Sequence, residues 1–321
     1  MTARKNILVT GGAGFIGSHL CERLLREGDY VICFDNFDSY YDPNIKIRNV
    51  EGLTKKYPGQ FILITGDIRN RDHLTDPFKK NRIDAVFHLA ARAGVRPSIA
   101  DPLLYTDVNI RGTIVLLEVC KEFEMKDFIF ASSSSVYGEN QRVPFSEEDL
   151  HIQPISPYGA TKRAGELLCY SYHHLYRMNI ACLRIFTAYG PRQRPEMAIH
   201  KFTWLMDHDK EIPMFGDGSS QRDYTYIDDL IDGMMAVLNH HKGFDIYNLG
   251  ESQTTSLKEL IQLIEEYLGK KAKIQKLESQ PGDVSITYAD IRKASRILGY
   301  QPKVKIEEGI KRFVEWYKEN K

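Results

Sequence analysis

Asn6-Ile7-Leu8-Val9-Thr10-Gly11-Gly12-Ala13-Gly14-Phe15-Ile16-Gly17 is the stretch whose reading decides the fold. Its first five residues are mostly apolar and branched, the pattern of a short buried strand. The glycines follow at once. Residues 18–27 then carry Leu20, Leu24 and Leu25 at helical spacing from Ile16. Strand, glycine turn and helix in that order form the context that a nucleotide-binding loop requires. Gly11 permits the tight turn, Gly14 lets a pyrophosphate approach the backbone, and Gly17 lets helix and strand pack closely. The N–H groups at the helix start then face the phosphates. A second apolar run, 30–34, ends at Asp35. A carboxylate there accepts from both hydroxyls of a ribose and repels a 2′-phosphate, which favours NAD over NADP.

Outward from this unit, apolar runs recur at 61–64, 85–89, 128–131 and 180–185, with helical patterns over 103–124 and 158–177 between them. Such alternation specifies an α/β fold with a parallel, doubly wound sheet and right-handed crossovers. Ligands then bind beyond the carboxyl ends of the strands. Asp35, Asp67, Ala90, Ala91, Ser133 and Thr187 all fall at or just past such ends. From about Tyr189 the alternation weakens, with loops at 191–195 and 216–220 and helical patterns at 257–268 and 306–318. This predicts a dinucleotide-binding domain over 1–188, to which parts of the later chain return. A smaller C-terminal α/β subdomain over 189–321 folds over the cofactor's reactive end. The chain shows no internal repeat and no low-complexity tract.

The 321 residues, 42% hydrophobic and 27% charged, support a sizeable core in one large domain or two closely joined ones. Lys+Arg and Asp+Glu both total 43, so no basic excess points to nucleic acid. No apolar run approaches the roughly 20 residues that span a bilayer, and the first strand begins too early to leave room for a signal peptide. Five cysteines lie in apolar runs without a Cys-x-x-Cys pair, as expected of reduced core thiols in a cytoplasmic protein. The adjacent pairs His173-His174 and His240-His241 do not share a helix face, so no metal site is expected.

Tyr158 and Lys162 stand four residues apart in Ser156-Pro157-Tyr158-Gly159-Ala160-Thr161-Lys162, on one face of the second long helix. Taken alone, such a pair reads as a solvated helix edge. Beside a dinucleotide loop it reads as chemistry. A lysine cation lowers the phenol's pKa toward the working pH, and the tyrosine then takes a proton from a sugar hydroxyl during hydride transfer.

These features, in this order, resemble the extended short-chain dehydrogenase/reductase family of nucleotide-sugar enzymes. The further motifs are Gly66-Asp67-Ile68; His88-Leu89-Ala90-Ala91; Ser132-Ser133-Ser134-Ser135-Val136-Tyr137-Gly138; Arg184-Ile185-Phe186-Thr187-Ala188-Tyr189-Gly190-Pro191; Gln221-Arg222-Asp223-Tyr224; and Pro281-Gly282-Asp283. The resemblance runs from Ile7 to about Tyr317. It implies a Rossmann-type domain, NAD as cofactor, a UDP-sugar as substrate, and a homodimer paired through the two long helices. It assigns cofactor contacts to Gly11, Gly14, Phe15, Ile16, Gly17, Asp35 and Asn36. Asp67 and Ile68 would hold the adenine end, Leu89, Ala90 and Ala91 would line the nicotinamide side, and Asn109 would brace the loops from within its helix. Tyr158 and Lys162 would serve both cofactor and catalysis. Ser133 would hydrogen-bond the reacting oxygen, with Ser134 also at the substrate. Arg222 would meet a diphosphate oxygen, which suits a guanidinium fork. Asp283 would accept from the nucleotide ribose and Phe215 would stack on uracil. Without the resemblance, Arg222 and Asp283 would read as surface ion pairs, worth little.

Enzymes of this kind first oxidise C4 of the sugar to a ketone. The 4,6-dehydratases resembling this chain place an Asp-Glu pair before Val-Tyr-Gly, and the UDP-glucuronate decarboxylases usually place a Glu there. Here Ser134 and Ser135 hold those positions, so the loop offers no extra proton-transfer carboxylate. The resemblance then implies simple epimerisation. The segments Ser39-Tyr40-Tyr41-Asp42-Pro43, Ala93-Gly94-Val95-Arg96 and Arg194-Pro195-Glu196-Met197-Ala198 are similar to UDP-glucuronate 4-epimerases, although those have Asp in place of Glu196. That similarity assigns the sugar carboxylate to Arg194 with Thr187 beside it, and to Arg96 or Arg192 as lesser candidates. The expected reaction is UDP-glucuronate to UDP-galacturonate. Its rivals are 4-epimerisation of UDP-glucose or UDP-N-acetylglucosamine, decarboxylation of UDP-glucuronate, and a non-catalytic NAD-binding role.

Overall fold

The computed structural model describes residues 4–140, 142–278 and 284–321. In chain order its strands are β1 (Asn6–Thr10), β2 (Tyr30–Asp35), β3 (Phe61–Thr65), β4 (Ala85–His88), β5 (Asp127–Ser133), β6 (Asn179–Ile185), β7 (Thr187–Tyr189), β8 (Glu211–Phe215), β9 (Gln221–Arg222), β10 (Tyr224–Tyr226), β11 (Phe244–Leu249), β12 (Thr255–Ser256) and β13 (Lys273–Leu277). Seven of them form one sheet in the order β11-β6-β5-β4-β1-β2-β3, every pair parallel. The chain runs outward from β1 through β2 to β3, then returns to build β4, β5 and β6 on the other side. The reversal falls between β1 and β4 and opens a crevice at their carboxyl ends.

Side-chain alternation explains why these runs are strands. Ile7 and Val9 enter one core layer and Leu8 the other. In β2, Val31 and Cys33 oppose Ile32 and Phe34 in the same way. Both faces are covered, as a parallel sheet demands.

The helix Pro157–Tyr176 begins where Pro157 takes the first helical position and the Ser156 side chain accepts from Gly159 N at 3.1 Å. It stops at Arg177, which is left-handed with φ 57°. Helix Leu257–Leu268 opens with a Ser256/Glu259 capping box and closes on left-handed Gly269.

The helix expected over 103–124 is corrected. It consists of Pro102–Thr106, a π-helical segment Asp107–Arg111, and Gly112–Glu122. The wider turn falls on Asn109, whose side chain bonds away from its own helix. π-segments of this kind gather at functional sites.

Past Tyr189 the chain builds small pairs, β7 with β10, β8 with β13 and β9 with β12, while β11 joins the main sheet beside β6. Asp223 ties this region together: its carboxylate accepts from the backbone N–H of Glu251 at 2.7 Å, Ser252 at 3.0 Å and Ala289 at 3.1 Å.

Behind the end of β5 lies a buried ion pair. Arg184 Nε and Nη2 meet Glu166 Oε1 and Oε2 at 2.9 and 3.0 Å. Ser132 Oγ and Arg163 Nη1 donate to the same carboxylate at 2.6 and 2.7 Å. The pair locks β5 and β6 to the helix that carries Tyr158. Among the described residues, no helix is long and apolar enough to cross a membrane, and no group of three or more His, Cys, Asp or Glu side chains is placed to hold a metal.

Candidate active site

A cavity of about 490 Å³ opens at the carboxyl ends of β1, β2, β4 and β5. One side gathers Gly11, Gly14, Phe15, Ile16, Gly17, Asp35, Asn36, Asp67, Ile68, Leu89, Ala90 and Ala91. The other gathers Ser133, Ser134, Tyr158, Lys162, Thr187 and Arg194. Residues 183 positions apart in the sequence, Gly11 and Arg194, therefore share one space because β1 and β4 are neighbours.

The glycines are sterically required. A Cβ on Gly17 would lie 2.2 Å from the Gly11 carbonyl oxygen, and one on Gly11 would lie 2.7 Å from the Ala90 nitrogen. Helix Phe15–Arg26 starts at Gly14 with no side-chain cap, so its first N–H groups are available to an anion. Asp35 stands at the end of β2, nearly buried, and accepts from Ala13 N at 3.1 Å and Phe37 N at 2.8 Å. Burial pushes its carboxyl up, against Lys46 and the two backbone donors. Lys46 is a lining residue that the sequence reading missed. Its ammonium lies 3.9 Å from Asp35 Oδ1 and donates to the Asp38 carbonyl at 3.1 Å. Asp67 is oriented by Arg69, whose Nη2 lies 2.6 Å from Oδ2, and the Arg69 hydrogen bonds hold its carboxyl down at about 2. Uncapped N–H groups, a tight glycine cradle and a buried acceptor beyond it suit a dinucleotide.

At the reacting end, Tyr158 N–H donates to Ser98 Oγ at 3.1 Å and its ring packs edge-on to Tyr105 at 6.3 Å. Tyr158 and Ser133 face the same cavity, and the Ser133 hydroxyl favours the ionised form of the phenol. Lys162 lines the same cavity as Tyr158. Lys162 Nζ donates to the Ala131 carbonyl at 2.7 Å and lies 6.0 Å from the Tyr158 ring centroid. Burial pushes the Tyr158 phenol above its ordinary value, opposed by the Ser133 hydroxyl and then by the charge of Arg194. The charge of Arg194 thus favours the phenolate. Lys162 is itself desolvated, and burial lowers it to about 8.

Behind this wall His88 bridges Thr10 Oγ1 at 2.8 Å and Thr113 Oγ1 at 2.9 Å. Burial, then the charge of Lys162, lowers it to about 3. It is a neutral brace between β1, β4 and helix Gly112–Glu122.

Among the described residues, four assigned ones, Asn109, Arg96, Phe215 and Arg222, are not part of the cavity wall. Asn109 is a brace: it holds the Arg92 backbone through N–H···Oδ1 at 2.8 Å and Nδ2···O at 3.0 Å, and donates to Thr161 Oγ1 at 3.0 Å. Arg96 covers the Phe215 ring at 4.2 Å. Arg222 Nη1 donates to the Gln221 carbonyl at 2.8 Å. Asp283, with the Pro281-Gly282-Asp283 motif, lies outside the described residues. Arg192, a lesser carboxylate candidate, pairs with Glu22 on helix Phe15–Arg26, its Nη2 2.7 Å from Oε2.

Besides Lys46, the sequence reading missed Arg92, while Tyr40 was quoted there without a role. Both line the cavity. Arg92 follows directly on Ala90-Ala91, so its place after a strand end was the available signal.

The GDP-mannose 4,6 dehydratase family matches residues 8–313. A UDP-glucuronate 4-epimerase of Thermodesulfobacterium geofontis is 46% identical over 315 residues, 98% of this chain and 96% of that protein. The solved UDP-glucuronic acid 4-epimerase of Bacillus cereus, in complex with UDP-glucuronic acid and NAD, is 42% identical with a TM-score of 0.92, covering 98% of this chain and 100% of that one. UDP-glucose 4-epimerase of Thermotoga maritima, with UDP-glucose, is 34% identical with a TM-score of 0.90, covering 98% and 99%. A glycine-turn crevice, a Tyr-x-x-x-Lys helix beside a serine-tipped strand, and a match over nearly the whole length place this chain in the GDP-mannose 4,6 dehydratase family of extended short-chain dehydrogenases/reductases.

Proposed function

We propose that this protein catalyses the NAD-dependent epimerisation of UDP-glucuronate at C4, giving UDP-galacturonate. The observation that carries it is the convergence on one cavity of the glycine turn, the Tyr158–Ser133 pair, and Arg194 with Thr187. Gly11, Gly14, Gly17, Asp35, Asp67 and Ala90 are the residues that would hold NAD. When bound, NAD supplies a hydride acceptor and later donor, and a cationic ring whose field favours a nearby phenolate. Tyr158 takes the proton of the C4 hydroxyl and later returns it to the opposite face of the sugar. Ser133 steadies the same oxygen. Ser134 and Ser135 offer no carboxylate for dehydration.

Oxidised UDP-glucuronate is a β-keto acid, prone to lose carbon dioxide when the breaking C–C bond aligns with the carbonyl π system. Arg194 and Thr187 clamp the carboxylate so that this bond stays near the carbonyl plane. Replacing Arg194 by Gln is expected to lower kcat/KM for UDP-glucuronate by about 10- to 100-fold, the worth of one charge-assisted hydrogen bond, and that for UDP-glucose by under threefold. Equal losses on the two sugars would remove the clamp.

The Lys162 ammonium is assigned to cofactor and phenolate stabilisation. Its folded pKa, about 8, lies below the ordinary 10.5. Between those values the unfolded chain binds more protons, so stability rises with pH across the window. Turnover moves the other way, because the ammonium is lost. The expected result is a kcat/KM that declines above about pH 8; a flat profile to pH 9.5 would take Lys162's charge out of the mechanism.

Arg222, Phe215 and Asp283 are assigned to the UDP end, with residues 189–321 as the main substrate-binding subdomain and 1–188 as the cofactor domain. A homodimer is proposed through helices Pro102–Thr106 and Pro157–Tyr176, which pack together and leave Leu103, Leu167, Tyr170 and Leu175 exposed. The five buried free cysteines accord with a cytoplasmic location. The deciding experiment is incubation with pure UDP-glucuronate, UDP-glucose and UDP-N-acetylglucosamine under proton NMR, with carbon dioxide measured. UDP-galacturonate as sole product supports the reading; UDP-xylose, turnover of neutral sugars alone, or no turnover at all overturns it.

A further inference from the structure

We propose that Arg92 is a second specificity-determining arginine, one that donates to the acidic group of the sugar alongside Arg194. This rests on the reading of Arg194 given above. Arg92 lines the same cavity as Tyr158 and Arg194. Its guanidinium carbon lies 5.0 Å from the Tyr40 ring centroid, and that of Arg194 lies 5.7 Å from the same ring. The two cations therefore share one aromatic spacer.

Each arginine also touches a carboxylate of the chain. Arg92 Nη1 pairs with Asp38, and Arg194 Nε lies 3.2 Å from Glu196 Oε1. One donor remains. Arg92 Nε is buried and has no hydrogen-bond partner in the protein. A buried unsatisfied N–H costs on the order of 1–3 kcal/mol, and more when charged. Such a group in a site calls for an acceptor brought by the ligand.

The placement is rigid. Asn109 grips both the N–H and the carbonyl of Arg92 at 2.8 and 3.0 Å, and the same Asn109 amide donates to Thr161 on the helix of Tyr158. The Arg92 backbone is thus referenced to the catalytic base. A fixed guanidinium there recognises a carboxylate more strongly than a hydroxymethyl, because the bond is charge-assisted on both sides. Arg92 would act on selectivity between an acidic and a neutral hexose, not on the proton transfer.

The test measures Kd for UDP-glucuronate and UDP-glucose by calorimetry in the Tyr158→Phe background with NAD bound. Arg92→Met is expected to weaken UDP-glucuronate about tenfold and UDP-glucose less than twofold. Arg92→Lys keeps the charge and stem but lacks Nε–H, and is expected to weaken UDP-glucuronate several-fold. Asp38→Asn, which breaks the pair but leaves the guanidinium, is expected to leave UDP-glucuronate affinity within twofold or improve it. Equal weakening of both ligands by Arg92→Met would assign the donor to the shared diphosphate and overturn the proposal. An Asp38→Asn loss matching that of Arg92→Met would reduce Arg92 to a loop latch, and an unaltered Arg92→Lys would show that Nε is idle; either overturns it. Arg194→Gln runs as the control. If its loss is selective and that of Arg92 is not, only the present inference fails; if its loss is not selective, the clamp itself fails.

Discussion

Exchanging Tyr158 for Phe is expected to lower kcat by about 10²- to 10⁴-fold, the usual worth of a positioned general acid–base. That range corresponds to roughly 3–5 kcal/mol of barrier. The substitution is narrow. The ring keeps its edge-on contact with Tyr105 at 6.3 Å, and the backbone keeps its bond to Ser98 at 3.1 Å. The phenolic oxygen is what disappears. Fold and dinucleotide content should therefore match the parent, by thermal midpoint and by NAD released on denaturation. Turnover is followed by proton NMR of the UDP-sugar. A variant within threefold of the parent would leave Tyr158 without its assigned role. A second readout concerns the hydrogen on C4. In the parent it leaves and returns as hydride, so deuterium placed there is retained in the product; washout into solvent would point to carbanion chemistry and against this tyrosine's part in hydride transfer.

Replacing Glu166 by Leu should produce the largest loss of stability, roughly 3–5 kcal/mol, because Arg184 is then left buried without a counter-charge. For a chain of this size each kcal/mol moves the thermal midpoint by about 2–4 °C, so a fall of about 10 °C is expected. The double replacement Glu166→Leu with Arg184→Met removes both charges and should recover much of the loss, since paired apolar substitution of a buried ion pair is often close to neutral. A double variant as unstable as the single would show that Ser132 and Arg163, the other donors to this carboxylate, carry the effect. The pair has a pH signature. Burial raises the Glu166 carboxyl, but Arg184, Ser132 and Arg163 outweigh it and hold the group below its ordinary 4.5. Its contribution is present above that value and is lost as pH falls through the lower folded value. The single variant should lack this component of acid unfolding.

Much of the architecture was legible in short windows. Asn6–Thr10 alternates its side chains between two core layers, and the glycines after it are the residues that a 2.2 Å approach to a carbonyl oxygen permits. Helices Pro157–Tyr176 and Leu257–Leu268 announce their own ends through Ser156, Pro157, Ser256, Glu259 and Gly269. The interruption at Asp107–Arg111 was not legible, because it answers to Arg92 and Thr161, which are 17 and 52 residues from Asn109.

The roles of the long cations divide along the same line. Strand period, capping and glycine placement depend on neighbours a few residues away, so the chain's own order settled the α/β sheet, the dinucleotide turn and the face shared by Tyr158 and Lys162. The direction of a flexible arginine or lysine depends on acceptors brought in from distant segments. Only the packed chain turned Lys162 onto the Ala131 carbonyl, Arg192 onto Glu22, Arg96 over Phe215, and Arg92 into the cavity. Hydrogen bonding and charge pairing act over a few ångströms of space and are indifferent to distance along the chain, which is why the scaffold could be read locally and the charge arrangement of the site could not.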